Sequence, residues 1–90
     1  MKTLFSPKFI ETLRTMSKEQ QKKILTSALL LESAELDYLT RVGAVKMLAI
    51  EQPGQFYSIR VDNKTRIIAS YESTLDPPAI ILIDIANLAT

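Results

Sequence analysis

Two arginines flanking a short polar break are the residues of this 90-residue chain best placed to do chemistry. In residues 55–71, QFYSIRVDNKTRIIASY, two alternating stretches surround Asp62-Asn63-Lys64, the pattern of a β-hairpin. Strand side chains alternate between faces, so Phe56, Ser58 and Arg60 share one face and Tyr57, Ile59 and Val61 the other. A three-residue loop at 62–64 pairs Val61 with Thr65 and sets Arg60 opposite Arg66. A two-residue turn at Asn63-Lys64 instead pairs Arg60 with Ile67 and sends Arg66 to the opposite face. Asn63 tolerates a left-handed backbone and suits either loop. In the first register like charges stand opposed, costing up to roughly 1 kcal/mol against a neutral pair, and a phosphate ligand is a reason to keep them. The ordinary alternative is two solvated surface arginines.

Composition narrows the remaining chemistry. The chain has no cysteine and no histidine, which removes disulfides, thiolate metal sites, a cysteine nucleophile and the commonest general base. Any catalysis must therefore use carboxylate, lysine, arginine, tyrosine or hydroxyl groups, and neither a metal nor an organic cofactor is expected. The formal net charge is only +1, but its distribution is uneven. Residues 1–23 hold six bases and two acids, 24–40 three acids and no base, 41–66 five bases and two acids, and 67–90 three acids and no base. Such a chain is not a strongly basic nucleic-acid binder, although a local basic face could still grip phosphates.

The elements that must position the arginines follow from local signals. Lys2 to Phe5 reads as a short strand, and Ser6-Pro7 as an N-cap followed by proline at the first helical position. Phe9, Ile10, Leu13 and Met16 recur at helical spacing until Ser17-Lys18-Glu19-Gln20, a capping box that opens a second helix. In that helix Ile24, Leu25, Ala28, Leu29 and Leu31 are expected to form the buried stripe of a helical hairpin. Residues 32–43 carry a weak pattern and are expected to form a loop or a short extra turn. Strands are expected over 44–50, 55–61, 65–71 and 79–85, with turns at Glu51-Gln52-Pro53-Gly54 and Glu72 to Pro78. The last of these, AIILIDI, reads as a strand buried on both faces or nearly so.

The expected fold is therefore α+β: an N-terminal strand, a helical hairpin covering one face, then a mostly antiparallel sheet of three to four strands. Residues 1–90 form one domain. The apolar runs 24–31 and 79–89 are too short to span a bilayer, and Pro7, Lys8, Glu11 and Arg14 interrupt any signal-like apolar segment. A cytoplasmic protein without a membrane partner is expected.

The segments FSPKFIETLRTMSKEQQKKIL, VKMLAIEQPGQFYSIRVDNKTRIIASYE and AIILIDIA together resemble the RelE/ParE superfamily of type II toxins, across nearly the whole chain. The most specific parts are Phe5-Ser6-Pro7, the strand carrying Tyr57, Ile59 and Arg60, and Arg66 ahead of Ile67-Ile68. The resemblance implies a bacterial toxin encoded with an antitoxin. In its RelE branch it implies a ribosome-dependent mRNA endonuclease that inhibits translation by activating a ribose 2′-hydroxyl against the adjacent phosphodiester. On that footing Arg66 would stabilise the transition state and Arg60 would orient the backbone, while Lys46 and Lys64 join them in binding RNA phosphate. Glu51, Tyr57 and Tyr71 are the remaining proton-transfer candidates, Tyr71 being counted with the catalytic residues. The acid/base tail usual in active RelE-type and HigB-type toxins is replaced here by Ile85-Ala86-Asn87-Leu88-Ala89-Thr90.

That departure keeps two further functions open: a ParE-like inhibitor of DNA gyrase, and a catalytically inactive relative that binds antitoxin. The partners implied are a cognate antitoxin, the ribosome with mRNA or else gyrase, and operator DNA only through the antitoxin complex. Phe56, or apolar residues between Leu36 and Val42, are docking candidates; alternatively Leu36, Leu39 and Val42 close the end of the core.

Overall fold

A computed structural model describes residues 2–49 and 54–87. Strand β1 (Lys2–Phe5) leads into α1 (Pro7–Arg14), α2 (Lys18–Ser33) and α3 (Leu36–Arg41), followed by β2 (Val45–Leu48), β3 (Gln55–Arg60), β4 (Thr65–Glu72) and β5 (Ala79–Asn87). The five strands form one sheet in the order β1-β5-β4-β3-β2. β2 to β5 pair antiparallel, and β1 runs parallel to β5, so the sheet is mixed. The expected α+β architecture is present. The four strands after the helices are joined by the N-terminal strand as a fifth.

Both helix starts follow from single hydroxyls. Ser6 Oγ accepts from Phe9 N at 3.1 Å and donates to Ile83 O at 2.7 Å, so one side chain caps α1 and ties it to β5. Ser17 Oγ accepts from Gln20 N at 3.2 Å, which opens α2. The box is half-formed, because Gln20 Oε1 is buried without a hydrogen-bond partner. Residues 32–43, expected to be a loop or short turn, contain the six-residue α3, whose N-cap Glu35 makes no side-chain cap bond.

The core lies on one face of the sheet. Phe9, Ile24, Ala28, Leu31 and Leu39 from the helices pack with Tyr57, Ile59, Ile67, Ala69, Ile80, Leu82 and Ile85. The stripe expected on α2 needs correction: Leu25 and Leu29 remain 41% and 65% exposed, and only Ile24, Ala28 and Leu31 are buried. α2 is apolar around much of its circumference, and the sheet accepts a narrower strip of it. Leu39 is buried and Leu36 packs against the core, so both close its end, whereas Val42 lies outside. β5 meets its expectation nearly: Ala79, Ile80 and Leu82 are fully buried, and Ile81 and Ile83 half-buried. Ile83 is the extra residue of a β-bulge, since Ile68 pairs with Asp84 but Ala69 with Leu82. Among the described residues no helix is long and apolar enough to cross a membrane.

Candidate nucleic-acid interface

The β3–β4 hairpin adopts the three-residue loop. Arg60 pairs with Arg66, and Val61 N donates to Thr65 O at 3.1 Å. Arg60 N donates instead to Ala44 O on the β2 side, at 3.0 Å. Arg60 and Arg66 are therefore the narrow, non-hydrogen-bonded kind of antiparallel pair, with Cα atoms about 4.5 Å apart. No two residues of the hairpin could bring like charges much closer.

The loop is built to hold both guanidinium groups. Asp62 Oδ1 accepts from Lys64 N at 2.9 Å and Thr65 N at 2.8 Å, an Asx-type turn that fixes the reversal without glycine. Among the described residues no non-glycine has positive φ, so Asn63 is not used for left-handed backbone. Its side chain serves instead: Asn63 Oδ1 accepts from Arg60 Nη2. Arg66 Nη1 donates to the carbonyls of Asp62 and Thr65. All these acceptors are neutral oxygens, and among the described residues neither arginine has a carboxylate within ion-pair distance. Orientation is thus supplied without cancelling the charge.

The Lys64 amide, ahead of Thr65 and the Lys23 ammonium, holds the Asp62 carboxyl below its ordinary range. Lys23 Nζ stands 3.8 Å from Asp62 Oδ2 and joins α2 to the tip. The Asp62-x-Lys64-Thr65 pattern that fixes the loop is local and was available in the sequence; the holding of Arg60 by Asn63 was not.

Arg60 and Arg66 lie on the sheet face that carries no helix, with Phe56, Ser58, Ile68 and Ser70, as the pairing requires. Lys46 on β2 pairs with Ser58 and is exposed, which makes it the diagonal neighbour of Arg60 at about 7–8 Å. These three cations form one group. Lys64 does not join them: with Lys23, Gln20 and Asn87 it lines a separate polar cleft of about 320 Å³ between the loop and α2.

The tyrosines belong to the other face. Tyr71 follows Thr65, Ile67 and Ala69 in the alternation of β4 and packs against the core, opposite in orientation to Arg66. Tyr57 is 5% exposed beneath the helices, and burial, with Tyr71 nearby, pushes its phenol pKa up. Neither shares a face with the arginines, so the structure does not bring Tyr71 together with Arg60 and Arg66. Asp84 is occupied: its Oδ1 accepts from Thr12 Oγ1 at 2.9 Å and from Ile85 N at 2.8 Å. Glu51 and the segment 88–90 lie outside the described residues. What the arrangement can do is bind and polarise an anion.

Charge is also segregated along the sheet. The N-terminal half of α2 meets the hairpin tip through Lys23 and Asp62, and the tip itself carries Lys64, Arg60 and Arg66. At the other end of β4 lie Glu72, Asp76 and the α2–α3 junction with Glu35 and Asp37. The tip is thus the more basic end of β4 and the Glu72 end the more acidic, although Lys2, level with Glu72 through Ala79, lies at the acidic end and Asp84, opposite Ile68, lies toward the tip.

No family model and no curated relative matches the sequence. Solved structures do share its fold. The RelE of the archaeal RelE–RelB complex from Pyrococcus horikoshii OT3 superposes with a TM-score of 0.73 at 15% identity, over 98% of this chain and 94% of that one. The toxin–antitoxin complex RelBE2 from Mycobacterium tuberculosis gives 0.69 at 13%, covering 96% and 95%. YoeB from Staphylococcus aureus, described as a dimer, gives 0.58 at 22%, covering 100% and 98%. The fold is that of the RelE/ParE toxins.

Proposed function

We propose that the protein is the toxin of a type II toxin–antitoxin pair and acts as a ribosome-dependent mRNA endonuclease. The observation that carries this reading is the Arg60–Arg66 pair on the uncovered sheet face, oriented by neutral loop oxygens and, among the described residues, without a carboxylate at ion-pair distance. A phosphodiester gives the opposed charges a shared partner. In the reaction, the ribose 2′-oxygen bonds to the adjacent phosphorus as the P–O5′ bond breaks, leaving a 2′,3′-cyclic phosphate and a 5′-hydroxyl. Arg66 stabilises the charge building on the non-bridging oxygens, Arg60 and Lys46 hold the flanking backbone, and Lys64 takes a phosphate further along the strand. Water or groups of the ribosomal complex take the 2′ proton and supply one to O5′, with Glu51 the remaining candidate from this chain, since Tyr57 and Tyr71 face the core side.

The same placement of the tyrosines favours a second reading, in which the basic face binds without cleaving, as a gyrase inhibitor or an inactive antitoxin-binding relative. In each case the partner is an antitoxin, as in the RelE–RelB and RelBE2 complexes, and operator DNA is reached only through it.

A reconstituted translation reaction on a defined mRNA separates these readings. New RNA ends that need translating ribosomes and vanish with Arg66→Ala support the nuclease. Folded wild-type protein that yields no new ends refutes it, and inhibition of DNA supercoiling in a parallel assay would then select the gyrase reading.

A further inference from the structure

A cavity lies away from the arginines, at the acidic end of β4, on the helix side of the sheet. Its volume is about 610 Å³, within the range of sites that take ligands. Leu36, Met47, Tyr57, Tyr71 and Pro77 supply mainly apolar walls, Glu35 and Asp37 stand among the lining residues, and no lysine or arginine is present there. Glu35 makes no ion pair among the described residues. Asp37 meets Arg41 only at 3.8 Å between side chains that are 85% and 71% exposed, a contact easily exchanged for another cation. Met47 remains 56% exposed although it faces apolar neighbours.

We propose that this cavity docks a basic, apolar peptide segment of a partner protein, with an apolar side chain between the tyrosines and the proline and a lysine or arginine on the acidic rim. Charge complementarity decides the occupant. An anion meets two carboxylates, and the one base beside them, Arg41, is already turned to Asp37. A small amine would rely on solvent-exposed ion pairs alone, which contribute little. A segment with both features uses the apolar walls for affinity and the rim for selection. The site is independent of the nuclease reading, because it shares no residue with the arginine group except through the fold.

The test uses a fluorophore-labelled acetyl-Leu-Lys-Leu-Lys-Leu-amide peptide, its counterpart with glutamate for lysine, and fluorescence anisotropy on the full chain. Saturable binding of the lysine peptide is expected, with little binding of the glutamate one. Glu35→Gln with Asp37→Asn should weaken the lysine peptide roughly tenfold, as two exposed ion pairs allow. Met47→Arg, which puts a cation into the cavity from an exposed position, should weaken it at least as much in protein whose circular dichroism is unchanged. Arg60→Ala with Arg66→Ala should leave it intact whatever becomes of RNA cleavage. Absence of saturable binding, equal binding of the glutamate peptide, full affinity in the Glu35/Asp37 variant, or loss of binding in the arginine variant would each overturn the proposal.

Discussion

Replacing Arg60 with threonine should stabilise the fold and weaken RNA binding at once. The two arginines form a narrow cross-strand pair, yet their guanidinium groups turn onto different loop acceptors, and the repulsion is worked for an assumed charge separation of about 7 Å. In water that separation costs about 0.6 kcal/mol, and a Debye length of about 10 Å at 0.1 M salt halves it to about 0.3 kcal/mol. Threonine adds a few tenths through its better strand preference, and the bond lost to the exposed Asn63 offsets only part of this. The net gain of roughly 0.2–0.6 kcal/mol raises Tm by about 1–4 °C for a domain of this size. Thermal melts at 20 mM and 1 M salt, with Arg66→Thr and the double variant closing a cycle, measure the coupling directly. The charge component should fall below about 0.1 kcal/mol at the higher salt, where the Debye length is about 3 Å. Binding to a single-stranded oligonucleotide should lose about 0.7 from the slope of log affinity against log salt for the one phosphate contact removed. A Tm lowered by several degrees at low salt, or a favourable Arg60–Arg66 coupling, would mean that the pair is part of the scaffold and would refute the argument that it is kept for an anion.

Two further outcomes follow from the hairpin and the sheet faces. The folded Asp62 carboxyl titrates below its unfolded value, so its contribution is fully present above the unfolded pKa and is lost as pH falls through the folded one. Melts from pH 7 to pH 2 should show this loss in wild type and a shallower decline in Asp62→Asn; identical profiles would show that the carboxylate does not hold the loop. Tyr71→Phe should leave ribosome-dependent RNA cleavage within about twofold of wild type, because Tyr71 sits on the core side, whereas a general acid or base contributes about 10²–10⁴-fold. A loss of that size would restore Tyr71 to the site and contradict the facing of β4.

The sequence was most legible where one side chain decides a local geometry. Ser6-Pro7 and Ser17 through Gln20 mark helix starts because the capping oxygen is three residues from the amide it accepts from. Alternation gave the two faces of β3, and it also places Tyr71 with Ile67 and Ala69, away from Arg66. The buried side of α2 was less legible: Leu25, Leu29, Leu30 and Leu31 are chemically alike, and only docking on the sheet selects Leu31 and leaves the others exposed. α3 was obscured because Glu35 supplies no side-chain cap and Leu39 alone is buried from its six residues. The register at 62–64 stayed open because no glycine marks a turn type; Asp62 settles it through two amides.

Charge patterning links the sequence to the way a partner must approach. The alternation of basic and acidic stretches disperses charge along the chain, but each change of sign falls near a place where the backbone turns or runs end to end across the sheet. α2 passes from Lys22 and Lys23 at its start to Glu32 near its end, and β4 from Arg66 to Glu72. Both elements therefore carry positive charge to the hairpin tip and negative charge to the α2–α3 junction, and the fold adds what the sequence only alternates. From Arg66 to Tyr71, five residues of extended strand separate the two ends by about 17 Å. The two ends also face opposite sides of the sheet, Arg60 and Arg66 on the uncovered face and the cavity on the helix side, so no straight segment meets both: a ligand of the arginines must be acidic, and a ligand of the Glu35 and Asp37 rim basic. A uniformly anionic polymer such as RNA satisfies only the first, so the two ends separate the ligand held at the arginines from the protein segment that fits the cavity.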